Sequence, residues 1–197
     1  MTDKIITISR EYGSGGRTIG RKTAEALGIP FYDKEIIDLS AQKSGFDKLI
    51  IESHEENIPN SFLYTVAMGG YYVGNMLPDQ IYQTEYNVIH EIAEKGPCVI
   101  VGRRANYILS DKYDTLNIFI HADIEARCRR AVEEYGADVK DARKIVETID
   151  KQRAKHTSHF TGLKWHDLSN YHLCLDSEKL GIDGCVSVIM KTLEELK

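Results

Sequence analysis

The sequence predicts an α/β fold in three layers: a parallel five-stranded sheet with helices on both faces. Two observations carry this. Short β-branched apolar runs alternate along the chain with longer stretches of helical periodicity, the rhythm of strand–helix–strand units. The chain is also 197 residues long, which suits one such domain with small insertions and a real core.

The elements follow in order. "KIITIS" (Lys4 to Ser9) reads as a buried strand, and "RTIGRKTAEAL" (Arg17 to Leu27) as a helix stopped by Gly28 and Pro30. "FYD" (Phe31 to Asp33) sits just past a second short strand. "CVIVG" (Cys98 to Gly102), "LNIFIHA" (Leu116 to Ala122) and "YHLCLDS" (Tyr171 to Ser177) supply the remaining strands. Asp123 is placed to cap the helix "DIEARCRRAVEEY", and "GIDGCVSVIMKTLEELK" closes the chain as a helix. In parallel sheets ligands gather outside the carboxyl ends of the strands, so motifs that follow strand ends share one crevice.

Two segments break the rhythm. From about 34 to 95 the pattern is helical and aromatic, centred on "YTVAMGGYYVGNMLPDQIYQTEY". It reads as an insertion covering the acceptor side; its tyrosines serve either substrate contact or a packing or homodimer surface. From about 138 to 167 the pattern is a polar helix followed by a loop rich in His, Lys and Thr, read as a mobile flap. The expected organisation is one domain over 1–197, with its core at about 1–33 and 96–197 and a lid at about 150–167.

Composition excludes several classes. Net charge is −5, so no general positive field favours nucleic acid. No run approaches the roughly 18 apolar residues of a membrane span, and no amino-terminal stretch resembles a signal peptide. Cys98, Cys128, Cys174 and Cys185 lie far apart without a C-x-x-C pair, as expected for reduced, mostly buried thiols in a cytoplasmic protein. His156 and His159 have a spacing found in some zinc sites, but without cysteine partners they read as solvated or phosphate-facing, and Trp165 reads as a packing anchor.

The chemistry concentrates first in "SREYGSGGRTIGRK". Gly13, Ser14, Gly15 and Gly16 lie between a strand and a helix, where glycines let successive N–H groups face an anion and the helix dipole points at the same spot. Against the pattern G-x-x-x-x-G-K-[ST], with Gly15 as the second glycine, Arg10 stands at the first glycine and Gly16 at the lysine. A shifted register from Gly15 to Gly20 would bury the loop in the helix pattern, so the first is preferred. Arg17, or else Arg21 or Lys22, then has to supply the missing charge, and Thr18 the hydroxyl for a metal. Asp33 stands at a position that resembles the acidic turn of small-molecule P-loop kinases, and that resemblance makes it a candidate to hold Mg²⁺ through water; a helix N-cap is the other reading.

The blocks "ITISREYGSGGRTIGRKTAEALGIPFYDKEII", "VIVGRRANYIL", "NIFIHADIEARCRR" and "DKQRAKHTSHFTGLKWHDLSNYHLCLDS" together resemble the cytidylate kinase-like family of P-loop nucleoside monophosphate kinases. The resemblance implies the P-loop kinase-type fold, with a helical acceptor-side insertion and a lid. It also implies ATP-dependent phosphoryl transfer to a small acceptor, a nucleoside monophosphate such as CMP, with Mg²⁺ as cofactor. By the same resemblance Arg103 of "VGRR" holds the acceptor's phosphate. Arg104 stands where the family carries aspartate, adding charge and changing the base or sugar contact. Arg127, Arg129 and Arg130 lead toward the flap, where Arg127 is a candidate for nucleotide phosphates; a solvated face paired with Glu133 and Glu134 is the alternative. In "DKQRAKH", Arg153 and then Lys155 are the candidates to close over the transferring phosphoryl group.

The expected catalytic set is therefore Arg17, Arg103 and Arg153. The expected partners are a nucleoside triphosphate and a small phosphorylated acceptor, with no nucleic acid and no membrane. Two other readings stay open: a catalytically weak nucleotide-binding or regulatory protein of the same fold, and a kinase of another small metabolite.

Overall fold

Strand β1 (Ile5–Arg10) takes the centre of the sheet because apolar residues face both ways along it. Ile6 and Ile8 point into one buried cluster and Ile5 into another on the opposite side. The structure, a computed structural model, describes residues 3–51 and 76–196. Chain order runs β1, α1 (Gly16–Leu27), β2 (Phe31–Tyr32), α2 (Glu35–Ser44), α3 (Met76–Ala93), β3 (Val99–Val101), α4 (Ala105–Ile108), β4 (Thr115–His121), α5 (Ile124–Glu133) and α6 (Ala142–Thr161). A 3₁₀ turn (Leu168–Asn170), β5 (Leu173–Asp176) and α7 (Ser177–Glu195) complete it.

The five strands form one sheet in the order β2-β3-β1-β4-β5, every pairing parallel. Ile19 and Ala24 of α1 and Cys185, Ile189 and Leu193 of α7 cover one face. Ile36 of α2, Val88, Ile89 and Ile92 of α3, and Ala105, Ile108 and Leu109 cover the other. These are the three expected layers, driven by burial of the strand side chains on both sides. Between β1 and β4, Thr7 Oγ1 lies 2.7 Å from Asn117 Oδ1, pairing two buried polar groups.

Local signals work as expected in several places. Gly28 ends α1 in the left-handed region (φ 65°), and Asp123 caps α5 by accepting from the Glu125 N–H at 2.9 Å. Trp165 is an anchor, buried against Phe119, with the Tyr171 hydroxyl donating to its carbonyl at 2.7 Å. The four cysteines are free, Cys98 and Cys185 buried and the other two partly so.

Three expectations are corrected. The His-rich stretch from 156 to 161 is not a loop: α6 continues through it to Thr161, because no glycine or proline interrupts it before Gly162 (φ 71°). Helix α7 starts at Ser177, ahead of the expected Gly181, since Asp176 caps it through the Glu178 and Lys179 N–H groups; Gly181 is a kink within it. Lys34, not Asp33, holds the N-cap position of α2, and the Asp33 side chain is otherwise engaged. The Tyr-rich stretch lies outside the described residues from 64 to 75. Among the described residues no helix is long and apolar enough to cross a membrane.

Candidate active site

The carboxyl ends of all five strands carry polar residues of interest: Arg10 ends β1, Asp33 follows β2, and Gly102 to Arg104 follow β3. Asp123 follows β4, and Ser177 follows β5. Parallel pairing puts these ends on one edge, which is why residues scattered from 10 to 177 form one site.

The loop after β1 is built tightly. Gly13 (φ 78°) and Gly15 (φ 76°) are left-handed, and a Cβ on Gly13 would lie 2.5 Å from the Arg127 carbonyl oxygen. Ser14 N–H and hydroxyl both reach the Glu11 carbonyl, at 3.2 and 2.8 Å. The buried Ser177 hydroxyl donates to the Ser14 carbonyl at 2.6 Å, and Arg130 Nη1 donates to the Gly13 carbonyl at 2.6 Å. With its carbonyls thus engaged, the loop leads into α1, whose N-terminus has no side-chain cap and no acidic residue in its first turn. First-turn N–H groups of that kind accept an anion well.

Around the loop the arginines are held by carboxylates. Arg127, on α5, pairs with Asp150 of α6 and sits 3.4 Å from Glu11. Asp150 also accepts from the Tyr12 N–H at 2.8 Å, and Arg153, one turn on, donates to the Arg10 carbonyl at 2.9 Å. Helix α6 is therefore fastened at two backbone points, the end of β1 and the start of the glycine loop. Arg17 Nε lies 2.6 Å from Asp33 Oδ2, an ion pair whose N–H is not aligned as a hydrogen bond. The buried Nε–H groups of Arg17, Arg104 and Arg127 lack a hydrogen-bond acceptor among the described residues.

On the β3 side the backbone is strained. Gly102, Arg103 and Arg104 have φ of 78°, 53° and 57°, three left-handed residues in a row, two of them not glycine. The turn directs both guanidiniums to Glu85 of α3, fully buried, with Arg103 Nη1 at 3.4 Å and Arg104 Nη2 at 2.5 Å. Arg104 also lies over the Tyr82 and Phe160 rings, which stack 4.5 Å apart and join α3 to α6. A cleft lined by Arg10, Gly102, Arg103, Arg104, Arg153 and Trp165 opens between the strand ends and α6.

The structure thus brings Gly13 to Gly16, Arg17, Asp33, Arg103, Arg104, Arg127 and Arg153 to one edge of the sheet. Thr18 is exposed on the first turn of α1, and Lys155 is exposed on α6 while His156 and Thr157 line the cleft. Arg21 stacks over Phe31 at 5.7 Å and Lys22 pairs with Asp183 at 2.6 Å, both turned away from the loop. Sequence reasoning missed Glu11, Glu85, Asp150 and Ser177. A carboxylate facing arginines distant in sequence gives no local signal, and a serine after a strand is ordinary.

The glycine loop, the five-stranded parallel sheet and the helices on both faces define a P-loop kinase-type scaffold. The chain belongs to the cytidylate kinase-like family, which it matches over residues 5–179. It is 26% identical to a cytidylate kinase of Methanopyrus kandleri over 98% of this chain and 94% of that one. It is 25% identical to a cytidylate kinase of Pyrobaculum aerophilum over 93% and 89%. Among solved structures it is similar to an uncharacterized protein from Eubacterium ventriosum, 29% identical, with TM-score 0.72 over 97% of this chain and 98% of that one. Shikimate kinase from Acinetobacter baumannii, solved with shikimate, shares the fold at 14% identity and TM-score 0.58, covering 98% and 94%.

Proposed function

We propose that the chain transfers the γ-phosphoryl group of ATP to a nucleoside monophosphate, with CMP the first candidate. The observation that carries this is the pair Arg103 and Arg104, held on left-handed backbone against Glu85 and lining a cleft at the same sheet edge as the glycine loop. One anion site at β1 and a second at β3 suit a donor and an acceptor that both carry phosphate. The names of the curated relatives support the acceptor class.

In the proposed reaction an oxygen of the acceptor's phosphate attacks the γ-phosphorus. The bond from that phosphorus to the β,γ-bridging oxygen breaks, and its electron pair leaves with ADP. The attacking phosphate is dianionic near neutral pH, so it has no proton to lose. What the protein supplies is position and positive charge. Loop N–H groups of Gly13 and of Gly15 to Thr18 hold the donor phosphates, Arg103 and Arg104 hold the acceptor phosphate, Arg153 faces the transferring group, and Arg127 is the candidate for the nucleotide phosphates. Lys155 would reach outward to the nucleotide.

For Mg²⁺ the chain offers the Thr18 hydroxyl and, through water, the Asp33 carboxylate, which is paired with Arg17 here, and no cluster of three His, Cys, Asp or Glu among the described residues. Hard, sparse oxygen donors of this kind fit an ion that keeps waters and takes phosphate oxygens for the rest. When bound, Mg²⁺ would neutralise charge on the β- and γ-phosphates.

The test is a panel of nucleoside monophosphates and small metabolites incubated with Mg-ATP, with ADP formation recorded. Acceptor-dependent ADP with CMP supports the reading. ATP binding without ADP from any acceptor would overturn it and favour a nucleotide-binding protein, the alternative that Gly16 at the lysine position motivates.

A further inference from the structure

Two departures from the phosphate-loop pattern touch each other in the fold. Gly16 stands where the lysine would be and Arg10 where the first glycine would be. A Cβ on Gly16 would lie 2.5 Å from Arg10 Cβ and 3.1 Å from its Cγ. Real Cβ atoms do not approach that closely, and the first of these atoms is rigidly attached to the end of β1. A lysine at 16 and an arginine at 10 therefore exclude each other. The side chain missing from one position is present at the other.

Arg10 also goes where such a cation is needed. Its stem crosses Gly16, and its head lies over Gly102, where a Cβ would come within 2.9 Å of Cζ. Glycines at 16 and 102 thus form a channel for this one side chain. The head reaches the cleft beside Arg103, Arg104 and Arg153. Asp33 is shared unequally: Arg17 Nε lies 2.6 Å from it and Arg10 Nη2 4.0 Å. Arg17, the substitute that sequence alone favours, is drawn to Asp33, whereas Arg10 spans the gap between the loop and the acceptor side.

We infer that Arg10 is the phosphate-loop cation of this protein: its guanidinium binds the β- and γ-phosphate oxygens in place of the lysine. The inference rests on the kinase reading above. A planar guanidinium can bridge two phosphate oxygens with parallel N–H donors, which one ammonium cannot. It enters from the strand end rather than from the helix, so the loop keeps its N–H groups while the charge comes from the opposite side.

The experiment is a swap, read by calorimetric ATP affinity and by turnover on the best acceptor. Arg10→Met, which keeps an apolar stem, loses about ten- to a hundredfold in ATP affinity, the range for a hydrogen-bonded charge. Gly16→Lys with Arg10 retained gains nothing and binds ATP more weakly than the parent. The double variant Arg10→Gly/Gly16→Lys restores the usual arrangement and binds at least tenfold tighter than Arg10→Gly alone. Thermal melts identify variants that fail to fold; should Arg10→Met be one, Arg10→Lys carries the test, since it keeps both stem and charge and stays within about tenfold of the parent. Parent protein that binds ATP while folded Arg10→Met binds it within twofold overturns the role of Arg10 alone. So does Gly16→Lys performing as well as the double variant, or Arg10→Lys folding normally yet losing ATP altogether. A parent protein with no ATP affinity overturns the kinase reading and this inference with it.

Discussion

Glu85 offers a sharp test of the acceptor side. It is fully buried on α3 and faces two guanidiniums, with Arg103 and Arg104 side chains only 7% and 10% exposed. Glu85→Gln keeps the shape and removes the carboxylate charge that faces two buried guanidiniums. Removing one partner of a buried pair costs about 3–5 kcal/mol. In a protein of this size each kcal/mol lowers Tm by about 2–4 °C, so the expected fall is about 6–20 °C. The measurement is differential scanning calorimetry, repeated with added CMP. An anionic ligand replaces the missing charge, so CMP raises the Tm of Glu85→Gln by more than it raises that of the parent. A variant melting within about 2 °C of the parent would refute the buried-pair reasoning. Equal stabilisation of both by CMP would refute its placement beside the acceptor phosphate.

Other outcomes follow from the same geometry. Gly13→Ala places a methyl group against the Arg127 carbonyl at 2.5 Å, so it costs more than the roughly 1–2 kcal/mol of left-handed strain and weakens ATP binding; Gly28→Ala, with open space around it, costs only the strain. Urea midpoints of the two variants separate these cases. Arg153→Ala lowers kcat by a larger factor than it raises KM, as expected for a contact strengthened in the transition state; steady-state kinetics decide, and a change confined to KM would contradict it. Burial pushes the Cys98 thiol up to about 12 and, despite an opposing Ser9 hydrogen bond, the Tyr171 hydroxyl to about 12. Both lose their protons in the unfolded chain first, near 9 and 10, so the stability they contribute is complete below about pH 9 and declines from there toward 12. The urea midpoint is therefore lower at about pH 10.5 than at about pH 8, and Cys98→Val flattens the first part of that decline.

Local patterns were enough for the scaffold. The apolar runs around Ile6, Ile100 and Ile118 read as buried strands because each must be covered on both faces, and Gly28 and Asp123 mark helix ends through backbone chemistry that needs no distant partner. The glycine loop was legible for the same reason, since left-handed backbone at Gly13 and Gly15 is a property of the residues themselves. Even Arg103 was visible, but only through resemblance to a family. What the sequence could not show was pairing. Glu85 meets Arg103 and Arg104 only once α3 packs on β3, and Asp150 meets Arg127 and Tyr12 only once α6 lies across the loop. The exclusion between Arg10 and Gly16 depends on where the end of β1 lies against the start of α1, a matter of tenths of an ångström that no spacing in the chain encodes. Elements arise from short-range preferences that a sequence displays openly. The charges of this site are assigned by contacts across more than a hundred residues, as between Tyr12 and Asp150, and only the folded chain decides them.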